Sequence, residues 1–180
     1  IFLRSFGPKG LLKPILDLEN AETFGVANIQ EFTWKQLLDL DACTRCGRCQ
    51  DNCPAHLSNK PLSPKKLIQD LKSVLNERGP LLLKGTAADD PGNSKDMIKD
   101  VITEDALWSC TTCGACHEHC PVFVKQIDKN VDMRRNLVLM ESRFPEAAVN
   151  ALRSIEARGH PWRGTTVTRT DWAKDLDIKT

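Results

Sequence analysis

The sequence predicts an all-α fold. Three observations carry this. No alternating apolar–polar run is long enough for a strand. Helix-start residues stand before apolar residues at helical spacing in several places. Two cysteine-rich segments are separated by a stretch long enough to hold helices of its own.

In chain order, residues 1–31 carry Phe6-Gly7-Pro8, Gly10 and Pro14 and read as an extended arm. Helix formation starts at Phe32-Thr33-Trp34. Thr33 is placed as an N-cap with Gln36 at the third helical position, a capping box, and Phe32 and Leu37 are placed as a hydrophobic staple. This helix runs into Cys43. Ser63-Pro64 opens a second helix, with Leu67, Ile68, Leu71, Val74 and Leu75 on one face, and Gly79-Pro80 is its predicted end. Residues 84–96 read as a solvent loop. Met97, Ile98, Val101 and Ile102 predict a short amphipathic helix, and Thr103 caps another from Glu104 to Ser109. Ile127, Val131, Met133, Leu137, Val138 and Met140 spread around a helix buried on several sides. A last helix opens at Pro145, turns Ala148, Val149, Leu152 and Ile155 inward, and stops near Gly159. From His160 the tail is polar, with Trp162 and Trp172 as isolated anchors.

Composition narrows the function. The chain has 180 residues, one domain or one domain with arms. Its 25 Lys and Arg against 24 Asp and Glu give a net charge of +1, so no global field favours nucleic acid or an anionic membrane. No run approaches the length of a membrane span. Tyr is absent and aromatics are 6%, so the core must be largely aliphatic. The chain opens at Ile1 without a secretion signal and reads as a processed product or an excised fragment.

The eight cysteines fall at 43, 46, 49 and 53, and again at 110, 113, 116 and 120. The segments CTRCGRCQDNCP (43–54) and CTTCGACHEHCP (110–121) match at seven of twelve positions, every cysteine displaced by 67 residues. A site is duplicated without visible duplication of the rest. Disulfides suit separated cysteines in an oxidising compartment, not two tight clusters. Four-thiolate zinc sites use two Cys-x-x-Cys pairs across a loop, not three evenly spaced cysteines, a fourth four residues on, and a proline. The pattern fits two [4Fe-4S] clusters. Three closely spaced thiolates wrap three corners of a cubane, and in two-cluster proteins of this spacing the fourth cysteine ligates the other cluster. Cluster I is then assigned Cys43, Cys46, Cys49 and Cys120, and cluster II Cys110, Cys113, Cys116 and Cys53. The small bacterial ferredoxin places this spacing on a β-rich scaffold with a short gap; here the gap holds helices, so the expected fold is an α-helical ferredoxin with both clusters in its core.

Neighbouring residues have readable roles. Gly47 and Gly114 either let backbone pass close to the inorganic core with φ above zero or serve as ordinary turn glycines. Pro54 and Pro121 fix φ after the fourth ligand. Arg45 and Arg48 flank cluster I where cluster II has Thr112 and Ala115; either their positive charge favours a reduced cluster and gives cluster I the higher potential, or they are solvated or paired with Asp51. His117 and His119 read as surface or supporting residues, because no cysteine is missing for a histidine to replace. Trp34 and Trp108 either cover the clusters from water or are plain core aromatics.

Residues 32–55, FTWKQLLDLDACTRCGRCQDNCPA, resemble the helical di-cluster ferredoxin module of heterodisulfide reductase-related iron-sulfur oxidoreductases, especially its large membrane-bound members. Other members are the small iron-sulfur subunit of heterodisulfide reductase and part of anaerobic glycerol-3-phosphate dehydrogenase. The tail at 159–180 resembles the linker to their Cys-Cys-Gly domains, a sequence this chain does not contain. The chain thus divides into residues 1–31 as an arm, 32–158 as the cluster domain and 159–180 as a tail that the resemblance implies is a linker. It implies an electron-transfer role between a soluble carrier, such as an electron-transfer flavoprotein, and a membrane quinone or disulfide-type site at the inner face of the cell membrane. The competing readings are a zinc-stabilised binding module and a self-contained iron-sulfur enzyme. The enzyme reading lacks an open iron corner, because eight thiolates fill two clusters.

Overall fold

A computed structural model describes residues 19–85, 96–162 and 171–176. The described residues are helical and contain no strand. The helices are α1 (Trp34–Ala42), α2 (Arg48–Asp51), α3 (Pro54–Leu57), α4 (Pro64–Leu83), α5 (Glu104–Trp108), α6 (Ala115–Glu118), α7 (Gln126–Leu139) and α8 (Glu146–Arg158). Short 3-10 turns occupy Ile29–Glu31 and Asp171–Ala173, and a π-helical turn spans Met97–Val101. The chain divides into two compact units, Ile1–Glu141 and Ser142–Thr180.

The first unit is built around α4 and α7. The capping box of α1 forms as its sequence requires. Gln36 N–H donates to Thr33 Oγ1 at 3.3 Å, and Thr33 N–H donates to Gln36 Oε1 at 2.9 Å. The Gln36 amide then reaches Asp132 Oδ2 of α7 at 2.6 Å, so one side chain both starts α1 and ties it to α7. Ser63 caps α4 through Lys66 N–H at 3.1 Å, and Thr103 caps α5 through Ala106 N–H at 3.3 Å. Leu67, Ile68, Leu71 and Val74 of α4 are buried with Leu40, Ile98, Leu107, Met133 and Leu137 in an aliphatic core.

Three helices depart from their sequence-based readings. Helix α4 does not stop at Gly79-Pro80; it passes through Pro80 to Leu83. A proline inside a helix forfeits its own N–H bond but leaves its carbonyl, and Lys84 N–H bonds Pro80 O at 3.3 Å. Helix α7 is buried on several sides, yet polar residues fill much of that interior: Gln126, Asp128, Lys129, Asn130 and Asn136 are buried, while Met140 is exposed. In the second unit, α8 stops at Gly159 in the left-handed conformation (φ 74°), but Leu152 and Ile155 point to solvent at 58% and 46% exposure. Ser154 is its buried residue and donates to Trp162 O at 2.8 Å. Residues 86–95 of the expected loop, most of the N-terminal arm and part of the tail lie outside the described residues.

Segment 25–32 packs on the first unit rather than standing clear of it. Val26, Ile29 and Phe32 are buried in the core, and Val26 N–H donates to Asp132 O at 3.0 Å. Gly25 has φ +76°, and a Cβ there would lie 2.2 Å from Asp132 O and 2.3 Å from Asn136 N. Only glycine lets the backbone cross α7 so closely.

Candidate metal centres

The two cysteine motifs fold alike. Arg45 and Thr112 both take φ above zero, at 58° and 54°. Gly47 and Gly114 follow at 88° and 83° and open the four-residue helices α2 and α6. The Gly47 carbonyl accepts from Gln50 at 2.8 Å, and the Gly114 carbonyl from His117 at 3.0 Å. Two left-handed residues at alternate positions curl each segment so that its first three cysteines surround a common space. A Cβ on Gly47 would meet only Asp51 Oδ2, at 3.7 Å, so the backbone angle rather than crowding requires glycine. The sequence marked the glycines but not Arg45 and Thr112, whose residue types ordinarily avoid this region.

Helices α2 and α6 pack against each other. This puts the two motifs side by side and exchanges their fourth cysteines. Cys43, Cys46, Cys49 and Cys120 line one cavity, together with Arg45, Lys65 and Gln126. Cys53 packs instead with Cys110, Ala55 and Leu62. Cys49 and Cys116, one from each motif, are buried together against Ile127. Cys46 and Cys113 are the exposed thiols of their sets.

Electrostatics repeats this grouping. Burial, then the neighbouring charges of Cys43, Cys120 and Cys46, push the Cys49 thiol up to about 11. Burial, then Cys110, Cys113, Cys49 and Cys53, push Cys116 up to about 12. Burial likewise raises Cys110. Exposed Cys46 is lowered, chiefly by the Arg48 backbone amide. Further donors face the sulfurs: Gln69 Nε2 to Cys43 at 3.3 Å, Thr112 N–H to Cys110 at 3.4 Å and Val124 N–H to Cys120 at 3.2 Å. Such bonds favour thiolate, the form that binds metal.

The surroundings fit a bulky sulfur-rich group. Gln126 is buried on the wall of the first cavity, and its carboxamide oxygen has no protein partner. Among the described residues no three His, Cys, Asp or Glu side chains converge on a single metal ion.

Several expected roles change. Trp34 is 76% exposed and covers nothing. Trp108 is partly buried beside the core. His117 is buried, and its Nε2 accepts from Ile127 N–H at 3.0 Å, capping α7. Burial holds its pKa below the ordinary histidine value. His119 is exposed. Nothing in the sequence pointed to Arg134, which donates through Nε to Leu107 O at 2.9 Å and through Nη2 to Cys110 O at 2.7 Å. Nor did any pattern single out Lys129 and Asp39, a buried ion pair at 2.9 Å.

Comparison with known proteins agrees with this site. A family model described as a 4Fe-4S dicluster domain matches residues 35–121. The chain is 39% identical over 182 residues to the EtfAB:quinone oxidoreductase of Syntrophomonas wolfei, covering 92% of this chain and 26% of that protein. It is 39% identical over 177 residues to a probable membrane-anchored ferredoxin of Chromohalobacter salexigens, covering 91% and 26%. It is 28% identical over 129 residues to an iron-sulfur subunit of the CoB–CoM heterodisulfide reductase of Methanopyrus kandleri, covering 72% and 55%. The chain thus spans about a quarter of the length of the first two of these relatives. With its eight cysteines, helical scaffold and matched domain, the chain carries a 4Fe-4S dicluster domain with two [4Fe-4S] clusters, the module found in heterodisulfide reductase-related iron-sulfur oxidoreductases.

Proposed function

We propose that this module relays electrons within a larger oxidoreductase, from a soluble redox protein toward a membrane quinone or a disulfide-type reductase site. Cys43, Cys46, Cys49 and Cys120 hold cluster I; Cys110, Cys113, Cys116 and Cys53 hold cluster II. The observation that carries the assignment is the exchange of fourth cysteines: Cys120 lines the cavity of the first motif, while Cys53 packs with Cys110 of the second. The clusters supply reversible one-electron chemistry. The chain orients the thiolates, closes Cys49 and Cys116 from water, and leaves Cys46 and Cys113 at the surface, where partners can approach.

The names of the relatives support the direction of the reading. One relative is an EtfAB:quinone oxidoreductase, which points to an electron-transfer flavoprotein as donor, and another is called a probable membrane-anchored ferredoxin, which points to a membrane setting. No described helix is long and apolar enough to cross a membrane.

Mössbauer spectroscopy of Cys53→Ser tests the ligand exchange. Damage confined to cluster II is expected; damage confined to cluster I would refute it. Stopped-flow mixing of the loaded chain with reduced electron-transfer flavoprotein tests the donor. Bleaching of the cluster absorbance near 400 nm is expected, and its absence at saturating flavoprotein would remove that partner.

A further inference from the structure

Arg134 links the helix that leads into the second motif to α7. Its Nε and Nη2 both donate to Leu107 O, and Nη2 also donates to Cys110 O. Its guanidinium carbon stands 5.1 Å from the centre of the Trp108 ring. Asn130 Nδ2 reaches the same Leu107 carbonyl at 3.3 Å. A partly buried cation is therefore fixed against the backbone of a thiolate ligand, and no carboxylate among the described residues pairs with it.

Among the described residues the first motif has no cation hydrogen-bonded to a ligand's backbone; Lys65 lines its cavity, partly exposed and not hydrogen-bonded to a cysteine. Sixty-seven residues upstream, Cys43 receives a neutral donor, the Gln69 amide. Asp41, the counterpart of Trp108, is paired with Lys72 at 2.9 Å. Arg45 and Arg48 near Cys46 are exposed to water. The buried Lys129 is neutralised by Asp39. A charge partly withdrawn from water, at an effective dielectric of about 20, acts roughly four times as strongly as one in bulk water, and exposed charges are further screened by salt.

We infer that Arg134 makes the cluster on the Cys110 side the first to be reduced, reversing the order that Arg45 and Arg48 alone predict. This rests on the thiolate assignment proposed above. Reduction adds one electron and one negative charge to a cluster, and a fixed, unpaired cation stabilises that state. Arg134 is a positioning residue: it touches the ligand's carbonyl, not the iron.

The test is an EPR-monitored titration of the iron-loaded chain with dithionite. In the wild type, the higher midpoint should move in Cys113→Ser and the lower one in Cys46→Ser. Raising the salt should leave the gap between them unchanged, as for a shielded charge. Arg134→Gln should lower the upper midpoint and leave the other in place, while Arg134→Lys should retain most of the gap. The inference fails if Cys46→Ser moves the upper midpoint, if salt closes the gap, or if Arg134→Gln keeps both clusters with both midpoints unchanged. Should Arg134→Gln lose the cluster altogether, the serine variants and the salt series still decide. An error in the thiolate assignment appears separately, in the Mössbauer spectrum of Cys53→Ser, whatever the midpoints.

Discussion

Lys129 Nζ donates to Asp39 Oδ2 across 2.9 Å where α7 meets α1, and both side chains are closed to solvent, at 0% and 2% exposure. Lys125 joins them: its N–H donates to the same Asp39 oxygen at 3.2 Å, and its carbonyl accepts from Lys129 at 3.2 Å. Lys35 pairs with the other oxygen. Burial pushes the Asp39 carboxyl up, but the Lys129 charge and these hydrogen bonds together hold it below its ordinary value. The pair fixes the helix that enters the first motif to the helix that leaves the second.

Breaking this pair should be costly. Lys129→Met leaves a buried carboxylate that retains only Lys35 and one backbone amide, and removal of one partner of a buried pair costs about 3–5 kcal/mol. A loss near the lower end is expected in urea unfolding of the iron-loaded chain. The double variant Asp39→Leu/Lys129→Met should recover most of it, because no charge is then stranded. A double variant as unstable as the single one would mean the pair contributes more than charge balance.

The buried His117 carries a second prediction. Helix α7 has no side-chain cap from its own first residues, and Ile127 N–H finds its acceptor in His117 Nε2. His117→Ala should cost about 1–3 kcal/mol, the penalty for a buried donor without a partner. His117→Gln, whose carbonyl can accept, should restore part of it. Equal loss in both variants would point to packing against Cys116 rather than the hydrogen bond.

What could be read in advance divides along physical lines. The caps at Thr33, Ser63 and Thr103 and the apolar face of α4 are local, set by residues within a few positions, and each formed as its sequence implied. The cluster count was legible for the same reason, because three cysteines at a spacing of three declare their geometry. Lys129, His117 and Arg134 were not. Each is an ordinary surface-type residue until a partner about 90, 10 or 27 positions away in the sequence closes on it, and periodicity carries no information about such pairs. Helix α8 failed in the opposite sense. Its apolar stripe is real, but Leu152 and Ile155 remain exposed among the described residues, so a pattern that usually marks a core face marks none here.

Gly25 tests how tightly the segment before α1 belongs to the first unit. Gly25→Ala meets two obstacles, a φ of +76° and backbone atoms of α7 within 2.3 Å of the new methyl. Strain and overpacking each cost about 1–3 kcal/mol, so the segment should lift off α7. Hydrogen exchange at Val26, whose amide bonds Asp132 O, should accelerate sharply while cluster absorbance is kept. Unchanged protection at Val26 would show that α7 yields instead.

The last prediction concerns the chain without iron. The Cys116 thiol is buried and pushed up to about 12, from an ordinary value of 9.0, first by burial and then by the neighbouring cysteines. A raised pKa stabilises the folded thiol form fully below 9.0, and that contribution is lost as pH climbs toward 12. At pH 10 this group alone should destabilise the iron-free fold by about 1.4 kcal/mol relative to neutral pH. Cys49 adds to the effect in the same direction, since it too is raised, to about 11. The iron-loaded chain should show no such slope, because its thiolates are held as ligands and their protons have already left. Urea midpoints of the iron-free chain between pH 7 and pH 10 read the slope, at about 2.303RT per unit pH for each proton released on unfolding. Cys116→Ser removes one titrating group and should flatten it by roughly that group's share. A slope identical to that of the unaltered chain would mean that Cys116 is open to water once iron is gone, and that the clusters, not the helices, hold the two motifs together.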